Sequence, residues 1–530
     1  MPVREWTLSR LIRPVAVTVL LLAGASAVSA ESYHVCMSPG CSGVGDTFHN
    51  AGGAAAGGEQ VAALRFFNDP FSRWFSNFNA SSFTGVRGDG ITLTYGVVPD
   101  GTTINGTAVP GESASDTSNL VSFLNTTIGS PAIWQGLIDD AYQRWGELSG
   151  LNMVRENNDD GAAMGSGGAR GQNGVRADMR IGGRFLDGQS GSNTLAYNYS
   201  PINGDHVVDT SNTFFYGNSF NNYRAFRNVF MHEAGHGLGL AHVIPTNGSK
   251  IMEPFINTGF DGPQHDDILA IQRQYGDRFE TGSGNDFFVF ATDLGTLSGP
   301  VGSVSIGTDA NDNTSFVGAN EFDFVSIDGT TDIDVYGFSI DALSEVTLDL
   351  NPTGPTYQEG PEGGSSSSFN TKALNDLMLE LIDASGSVLA TADNFFAGVG
   401  ESIFATLAAG DYFARVRVGS TDVDNIQIYR LDVIAEIADS MILGDYNNDG
   451  FVDSADYTVW SDLFGTLVEA GTSADGNGDG VIDAADYTVW ADSFGDASGV
   501  GLAGFPIPEP TSMLLLVGFG GVILSRRRAA

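Results

Sequence analysis

The chain has 530 residues and a formal net charge of −40 at pH 7, from 64 acidic and 24 basic residues. Such a charge repels a phosphate backbone, so it argues against a nucleic-acid partner and favours calcium binding. Because there are only two cysteines, no disulfide framework holds the fold together. The length allows about three or four domains.

The first thirty residues have the pattern of a processing segment. Three arginines precede an apolar run at residues 15–25, and the small residues 28–30 suit a signal peptidase. Residues 1–30 are therefore predicted to be a signal peptide. The chain is predicted to be exported, to the cell surface or to the extracellular space.

Residues 31–72 are predicted to be a leader or a propeptide, and they contain both cysteines. Gly and Ala dominate residues 42–60, and such a composition buries little apolar surface. In an exported chain, a local bridge between Cys36 and Cys41 is expected.

Strand and helix patterns begin at about residue 90. Residues 90–96 and 177–181 are predicted to be strands. Between them, apolar residues recur at helical spacing on one face and predict a helix. The residues of this face are Ile133, Leu137, Ile138, Ala141, Trp145 and Leu148.

Residues 232–242 contain a metal-binding motif, three histidines with a glutamate after the first. His232 and His236 stand four residues apart, so on a helix both imidazoles project from one face and reach one ion. Gly239 has no Cβ and lets the chain leave the helix sharply enough to bring in His242 as a third ligand. The three nitrogens leave a fourth position open for water.

This donor set predicts one catalytic zinc ion. Zinc lowers the pKa of a bound water to about 7, and Glu233 is placed to take the proton as general base and pass it to a leaving amine. An isolated His-Glu-x-x-His arises by chance in many long proteins. Here, however, five specified residues stand at fixed offsets, which predicts peptide hydrolysis.

The motif resembles that of the metzincin peptidases, in which a methionine turn lies beneath the metal after the third histidine. Met252, followed two places later by Pro254, resembles the matrixin branch. The resemblance covers residues 73–280. It implies an α+β catalytic domain, with a twisted mixed sheet and three helices, that closes with a helix at residues 266–276.

The same resemblance implies a substrate-binding edge strand at residues 194–199. An edge strand has unpaired backbone groups, and an extended peptide adds to it by main-chain hydrogen bonds. Leu195 and Ala196 are the residues expected to bind the substrate in this way.

The chain also departs from the family. Animal matrixins hold a second, structural zinc near this strand, but Tyr197 stands where a histidine is expected, residues 188–193 contain none, and His206 is offset by one place. We therefore expect no structural zinc. Asp209 falls at a calcium-binding position of the family, although a single carboxylate there is usually only solvated.

Matrixin propeptides cap the zinc with a thiolate, an alternative that stays open for the two cysteines although the surrounding motif is missing.

Residues 281–435 consist of short alternating runs separated by Gly, Asp, Asn and Ser, a pattern typical of a β-sandwich. Strands are predicted at residues 334–338, 345–350, 376–381 and 411–416. The order of these runs resembles the pre-peptidase C-terminal domain of many secreted bacterial peptidases.

Residues 440–497 contain a repeat with a period of thirty residues. In each copy, oxygen ligands recur at the spacing of an EF-hand-type calcium loop, with a backbone carbonyl at the seventh position and Asp, not Glu, at the twelfth. The predicted ligands are Asp445, Asn447, Asp449, Phe451, Asp453 and Asp456 in the first loop, and Asp475, Asn477, Asp479, Val481, Asp483 and Asp486 in the second.

The repeat closely resembles a dockerin module. The resemblance implies a small all-α calcium-loop domain with two calcium ions and a cohesin-type partner. The alternative is a solvated acidic spacer.

Residues 505–530 combine Pro-Glu-Pro, a twelve-residue apolar run and three arginines. Twelve residues make a helix of about 18 Å, which is shorter than the hydrocarbon core of a bilayer, about 30 Å. The pattern resembles a PEP-CTERM sorting tail and implies recognition by a membrane sorting enzyme. The alternative is a plain short membrane anchor.

Together these features predict a multidomain, exported bacterial zinc endopeptidase that hydrolyses extracellular proteins. The competing hypothesis is a surface adhesion or matrix protein with an inactive metzincin domain, which acts through its β-sandwich and dockerin-like modules. An intact Glu233 beside three intact ligands argues against this second hypothesis.

Overall fold

A computed structural model describes residues 73–74, 87–109, 112–187, 194–393, 396–419, 425–438, 442–447 and 449–496. The predicted signal peptide, both cysteines, the 188–193 loop and the predicted sorting tail lie outside the described residues. Within the described ranges, no helix has the length and apolar character that crossing a bilayer requires.

The N-terminal part is built on a mixed five-stranded sheet. Its strands are β1 (Ile91–Val97), β4 (Leu151–Arg155), β6 (Met179–Arg184), β7 (Ala196–Asn198) and β8 (His206–Asp209), in the order β4-β1-β6-β8-β7. All pairs are parallel except β7 with β8, so the predicted mixed sheet is present. A smaller sheet contains β2 (Thr103–Asn105), β3 (Ser115–Thr117) and β5 (Met164–Gly165).

Five helices accompany this sheet, two more than the three expected. They are α1 (Leu120–Thr127), α2 (Pro131–Glu147), α3 (Thr213–Tyr216), α4 (Arg224–Gly237) and α5 (His265–Tyr275). The additional helices, α1 and α3, are short. Helix α5 matches the closing helix expected at residues 266–276.

Helix α2 begins where local chemistry favours a helix start. The Ser130 side chain accepts a hydrogen bond from the amide of Ala132, and Pro131 occupies the first helical position. The prediction for Ile133 was wrong, since its side chain is 47% exposed, while Trp134 is buried. The apolar face therefore begins one residue later than the spacing indicated.

The central part is a β-sandwich. One sheet has the order β10-β13-β20-β17-β18, the other has the order β11-β21-β14-β19, and β12 also pairs with β21. The strands are β10 (Thr292–Leu297), β11 (Val301–Ile306), β12 (Val325–Ile327), β13 (Ile333–Ile340), β14 (Ser344–Pro352), β17 (Leu377–Asp383), β18 (Val388–Ala392), β19 (Glu401–Leu407), β20 (Gly410–Val418) and β21 (Gln427–Ile437). All four strands predicted here are present, as β13, β14, β17 and β20.

A hairpin of the sandwich also contacts the N-terminal part. Strands β15 (Thr356–Pro361) and β16 (Ser367–Asn370) pair with each other, and β15 also pairs with β9 (Val243–Ile244). An apolar cluster joins the two parts as well, since Ile268 and Leu269 of α5 pack with residues of the sandwich such as Phe324. The sequence did not predict this contact.

The C-terminal part has a small core of its own. Helices α6 (Ser454–Leu463) and α7 (Ala484–Asp492) pack through Val452, Ile482 and Trp490. An isolated antiparallel bridge joins Leu467 to Val481, so the expected all-α description is incomplete.

Candidate metal centre

Helix α4 and the turn after it hold the three histidines. His232 and His236 lie one turn apart on α4. Gly239 has a φ of +105°, a conformation that favours glycine, and the chain turns there towards His242. The amide of Leu240 closes the turn by donating to the carbonyl of Gly235 at 2.9 Å.

The Nε2 atoms of the three imidazoles converge. They lie 3.1 Å (His232 to His236), 3.1 Å (His236 to His242) and 3.2 Å (His232 to His242) apart. Tetrahedral zinc with Zn–N bonds of about 2.05 Å needs a separation of about 3.3 Å. The spacing therefore fits one zinc ion.

The outer nitrogen of each ring contacts an acceptor. Nδ1 of His232 lies 2.6 Å from the carbonyl of Ile251, Nδ1 of His236 lies 2.8 Å from that of Leu240, and Nδ1 of His242 lies 2.8 Å from a carboxylate oxygen of Glu362. Each Nδ1 then carries the proton, and each Nε2 presents its lone pair to the centre. Three facing lone pairs do not hydrogen-bond to one another, but they bind a cation.

Burial keeps the imidazoles of His232 and His236 neutral. It lowers the pKa of His236 to about 3, with a further contribution from His242. Burial also lowers the pKa of His232 well below its usual range, and the neighbouring histidines add to the effect. Neutral imidazole is the form that binds zinc.

Glu233 lies beside the first histidine and is fully buried. Burial raises the pKa of the Tyr142 phenol, and repulsion from the Glu233 carboxylate raises it further. A carboxylate next to a histidine site in a dry interior can accept a proton from a reacting water.

Met252 lies directly beneath the helix turn that carries the histidines. A Cβ placed on Gly235 would come within 2.5 Å of the Met252 sulfur. The carboxylate of Asp267 holds this turn, because it accepts from the amides of Ile251 at 2.8 Å and Met252 at 3.2 Å. Burial, reinforced by Asp266, raises the pKa of Asp267 to about 7.

The two predicted calcium loops have the same internal hydrogen bonds, thirty residues apart. Asp445 accepts from the amide of Gly450 at 2.8 Å, and Asp475 accepts from that of Gly480 at 2.7 Å. At the twelfth position, Asp456 and Asp486 accept from the amides of Asn447 and Asn477.

Each calcium loop accepts a hydrogen bond from a tryptophan on the helix that follows the other loop. Nε1 of Trp460 donates to the carbonyl of Asp483 and Nε1 of Trp490 to that of Asp453, both at 2.8 Å. Among the described residues, three carboxylates of one loop do not come within 4.8 Å of one another. Like charges oppose such crowding until a cation neutralises them.

Residues 125–276 match the matrixin family model. Residues 443–490 match the model of the dockerin type I domain. The first match supports a metallopeptidase, and the histidine cluster is compatible with its zinc site. No curated protein matches the chain.

Three solved structures are similar to parts of the chain. A type II cohesin-dockerin domain from Bacteroides cellolosolvens is 36% identical, with 11% of this chain and 93% of that chain covered and a TM-score of 0.10. The pre-peptidase C-terminal domain of a collagenase from Bacillus anthracis is 16% identical, with coverages of 27% and 93% and a TM-score of 0.14. PliG, a periplasmic inhibitor of g-type lysozyme from Aeromonas hydrophila, is 11% identical, with coverages of 28% and 97% and a TM-score of 0.15.

Strand β7 lies at the edge of the five-stranded sheet, among the described residues. The carbonyl of Leu195 is already engaged, since it accepts from the amide of Asp209 and the hydroxyl of Tyr216. The amide of Tyr199 likewise donates to the carbonyl of Asp205, the residue before β8. Backbone groups alternate along a strand, so Ala196, and not Leu195, directs its amide and carbonyl away from β8, although β7 is fully buried.

Tyr197 belongs to a buried ion-pair network with Arg184 and Glu112. Its hydroxyl donates to Glu112 at 3.0 Å, and Nε of Arg184 donates to the same carboxylate at 2.9 Å. The side chain of Asp209 was expected to be solvated, but the structure shows otherwise. It is buried and accepts from the amides of Leu186 and Ser211.

The sequence did not reveal a second cluster of ligand-type side chains. Carboxylate oxygens of Glu280, Asp286 and Asp332 lie within 4.8 Å of one another at the junction with the sandwich. Burial, then repulsion from Asp332 and Asp277, raises the pKa of Glu280 to about 10. Glu280 and Asp286 are close in the chain, but Asp332 comes 46 residues after Asp286, so no local spacing signals the cluster.

Proposed function

We propose that this chain is an exported zinc-dependent endopeptidase that hydrolyses extracellular proteins. The convergence of three Nε2 lone pairs beside a buried Glu233 is the observation that carries the proposal. The match of residues 125–276 to the matrixin family supports the same chemistry.

In this proposal, His232, His236 and His242 hold one catalytic zinc ion, and Met252 supports the site from below. A bound zinc ion supplies Lewis-acid activation of water and of the substrate carbonyl. Glu233 accepts the proton of the attacking water and delivers it to the leaving amine.

The substrate is proposed to bind as an extended strand along β7. Ala196 directs its amide and carbonyl away from β8, and Asn198 follows with the same orientation two residues later. Both residues are buried, so a substrate strand has to displace the groups that cover them. Because the Leu195 carbonyl already accepts from Tyr216, the proposal assigns the backbone contacts with substrate to Ala196 and Asn198.

The proposed domain arrangement has six parts. A signal peptide (1–30) and a leader (31–72) precede the catalytic domain (73–280) and the β-sandwich (281–435). A dockerin module (440–497) with two calcium ions meets a cohesin-type partner, and a sorting tail (505–530) is recognised by a membrane sorting enzyme. The repeated loop contacts and the dockerin type I match support the calcium module.

Two substitutions test the catalytic assignment. Glu233→Ala should keep zinc and the fold but lower proteolysis of unfolded protein substrates by orders of magnitude, because only proton transfer is lost. His236→Ala should lose the zinc itself. Metal content and cleavage are measured on the same samples, with and without a chelator.

The outcome also separates the two functional hypotheses. If the native protein holds zinc yet cleaves no unfolded substrate, the inactive-domain hypothesis of a surface binding protein is favoured. If Glu233→Ala cleaves at the native rate, Glu233 has no part in the mechanism.

A further inference from the structure

The hairpin between β15 and β16 places a side chain of the sandwich behind the zinc-binding histidines. Glu362, in the turn of this hairpin, lies with Oε2 2.8 Å from Nδ1 of His242. The two residues are 120 positions apart in the chain. His242 is almost fully buried, whereas the Glu362 side chain is 43% exposed.

The carboxylate touches the side of His242 that faces away from the metal centre. Nε2 of His242 is the atom that meets the other two histidines. Glu362 therefore does not compete for the metal position. It can only act through the orientation and the proton position of the His242 ring.

Several contacts hold the hairpin in this place. Gly360 pairs with Ile244, and Pro361 pairs with Val243, the residue directly after His242. The ammonium of Lys250 donates to the carbonyl of Gln358 at 3.2 Å.

The base of the hairpin is anchored to the closing helix. The Tyr357 hydroxyl donates to Asp266 of α5 at 2.8 Å. Lys250 also lies 5.4 Å from the centre of the Tyr357 ring. The position of Glu362 is thus fixed by both backbone pairing and side-chain contacts.

The three histidines differ in what holds their outer nitrogen. His232 and His236 contact backbone carbonyls of the matrixin segment itself, at Ile251 and Leu240. His242 alone uses a carboxylate, and that carboxylate comes from the sandwich. A carboxylate hydrogen-bonded to a metal-binding histidine fixes its tautomer and ring orientation.

We propose that Glu362 is a positioning residue for His242, so that the β-sandwich completes the zinc site. This inference rests on the proposed function, because it assumes that the three histidines hold zinc. Because the Glu362 side chain is 43% exposed, solvent screens its charge, and the contact adds little to stability. The expected effect of Glu362 is therefore on metal affinity and geometry, and not on folding.

The test uses the full chain with Glu362→Ala and Glu362→Gln. Glu436→Gln is the matched control, because it changes an exposed carboxylate of the same sandwich on β21. Metal-free proteins are titrated with zinc against a chromophoric chelator, and thermal unfolding of the metal-free forms is compared. The visible spectrum of the cobalt-substituted proteins reports on ligand geometry.

Glu362→Ala should weaken zinc binding by about 10- to 100-fold. Glu362→Gln should lie between Ala and native, because the amide oxygen still accepts the Nδ1 proton but lacks the charge. The cobalt spectrum should change in Glu362→Ala, while the unfolding midpoint of the metal-free chain stays the same. Glu436→Gln should match the native protein in each measurement.

Zinc affinities and cobalt spectra equal to native in both Glu362 variants would overturn the inference and leave the proposed function intact. A native chain that fails to bind zinc at all would instead refute the proposed function, and this inference with it.

Discussion

The sulfur of Met252 occupies the space where a side chain at Gly235 would begin, since a Cβ there would come within 2.5 Å of it. We therefore expect Gly235→Ala to push Met252 and the His232–His236 turn apart. Overpacking of this kind costs about 1–3 kcal/mol. The free energy of unfolding and the zinc affinity should both fall.

Gly136 on α2 is the matched control for this prediction. Nothing lies within 4 Å of a Cβ at that position. Gly136→Ala should leave zinc binding unchanged and stabilise the protein by about 0.5–1 kcal/mol, because alanine favours a helix. Equal zinc affinity in Gly235→Ala and Gly136→Ala would contradict the tight Met252 contact.

We expect metal analysis of the full chain to find one tightly held zinc ion. Tyr197 occupies a position where the resemblance led us to expect a histidine, and its hydroxyl is committed to Glu112. Glu112 in turn neutralises the buried Arg184. Elemental analysis after dialysis measures this number, and two zinc ions per chain would contradict the assignment of Tyr197.

The convergence of the three histidines could be predicted from the sequence because they are close in the chain. Helical spacing puts His232 and His236 on one face, and Gly239 permits the turn to His242. The contact of His242 with Glu362 depends instead on how a hairpin 120 residues later docks. No local pattern encodes such a docking.

The same reason explains the smaller errors. Ile133 satisfies the helical spacing, but its side chain is exposed. Periodicity predicts the face of a helix and does not show at which residue that face enters the core. Leu195 belongs to the expected strand, yet the direction of its carbonyl depends on the register with β8. The strands of the sandwich could be predicted because their alternation is local.

The stability of the junction between the matrixin segment and the sandwich should depend on pH. Burial, with repulsion from Asp277 and Asp332, raises the pKa of the fully buried Asp334 well above its usual range. The folded state then holds this proton more tightly than the unfolded state does. This contribution to stability is complete below about pH 4 and is lost as the pH rises.

Asp334→Asn removes the charge but keeps an oxygen that can accept from Tyr429, as Asp334 does at 2.6 Å. Relative to native, we expect the variant to gain about 1–3 kcal/mol of stability at pH 8. At pH 4 the gain should be much smaller. Thermal midpoints of the metal-free proteins at both pH values measure this, and an equal change in stability at both pH values would contradict it.

The dockerin segment, residues 442–496, should be largely unfolded without calcium and should become compact and helical with it. Each loop concentrates four aspartates in twelve residues, and its core is small. Ion binding must then supply much of the folding free energy. Circular dichroism of the isolated segment during a calcium titration measures the change.

Asp475→Ala should weaken this calcium response, because Asp475 organises the second loop through the amide of Gly480. Asp462→Ala, an exposed change on α6, should leave it as in the native segment. A helical signal that is the same in excess chelator would refute the calcium-loop assignment.

The pairing of β9 with β15 affects the order in which the site is completed as the chain is synthesised and folds. Synthesis proceeds from the N-terminus, so His242 is made 120 residues before the carboxylate that contacts it. A partly emerged chain carries the three histidines and Glu233 without that support. The contact between His242 and Glu362 can therefore form only after the hairpin of the sandwich has been made. Until then, the three histidines lack this carboxylate.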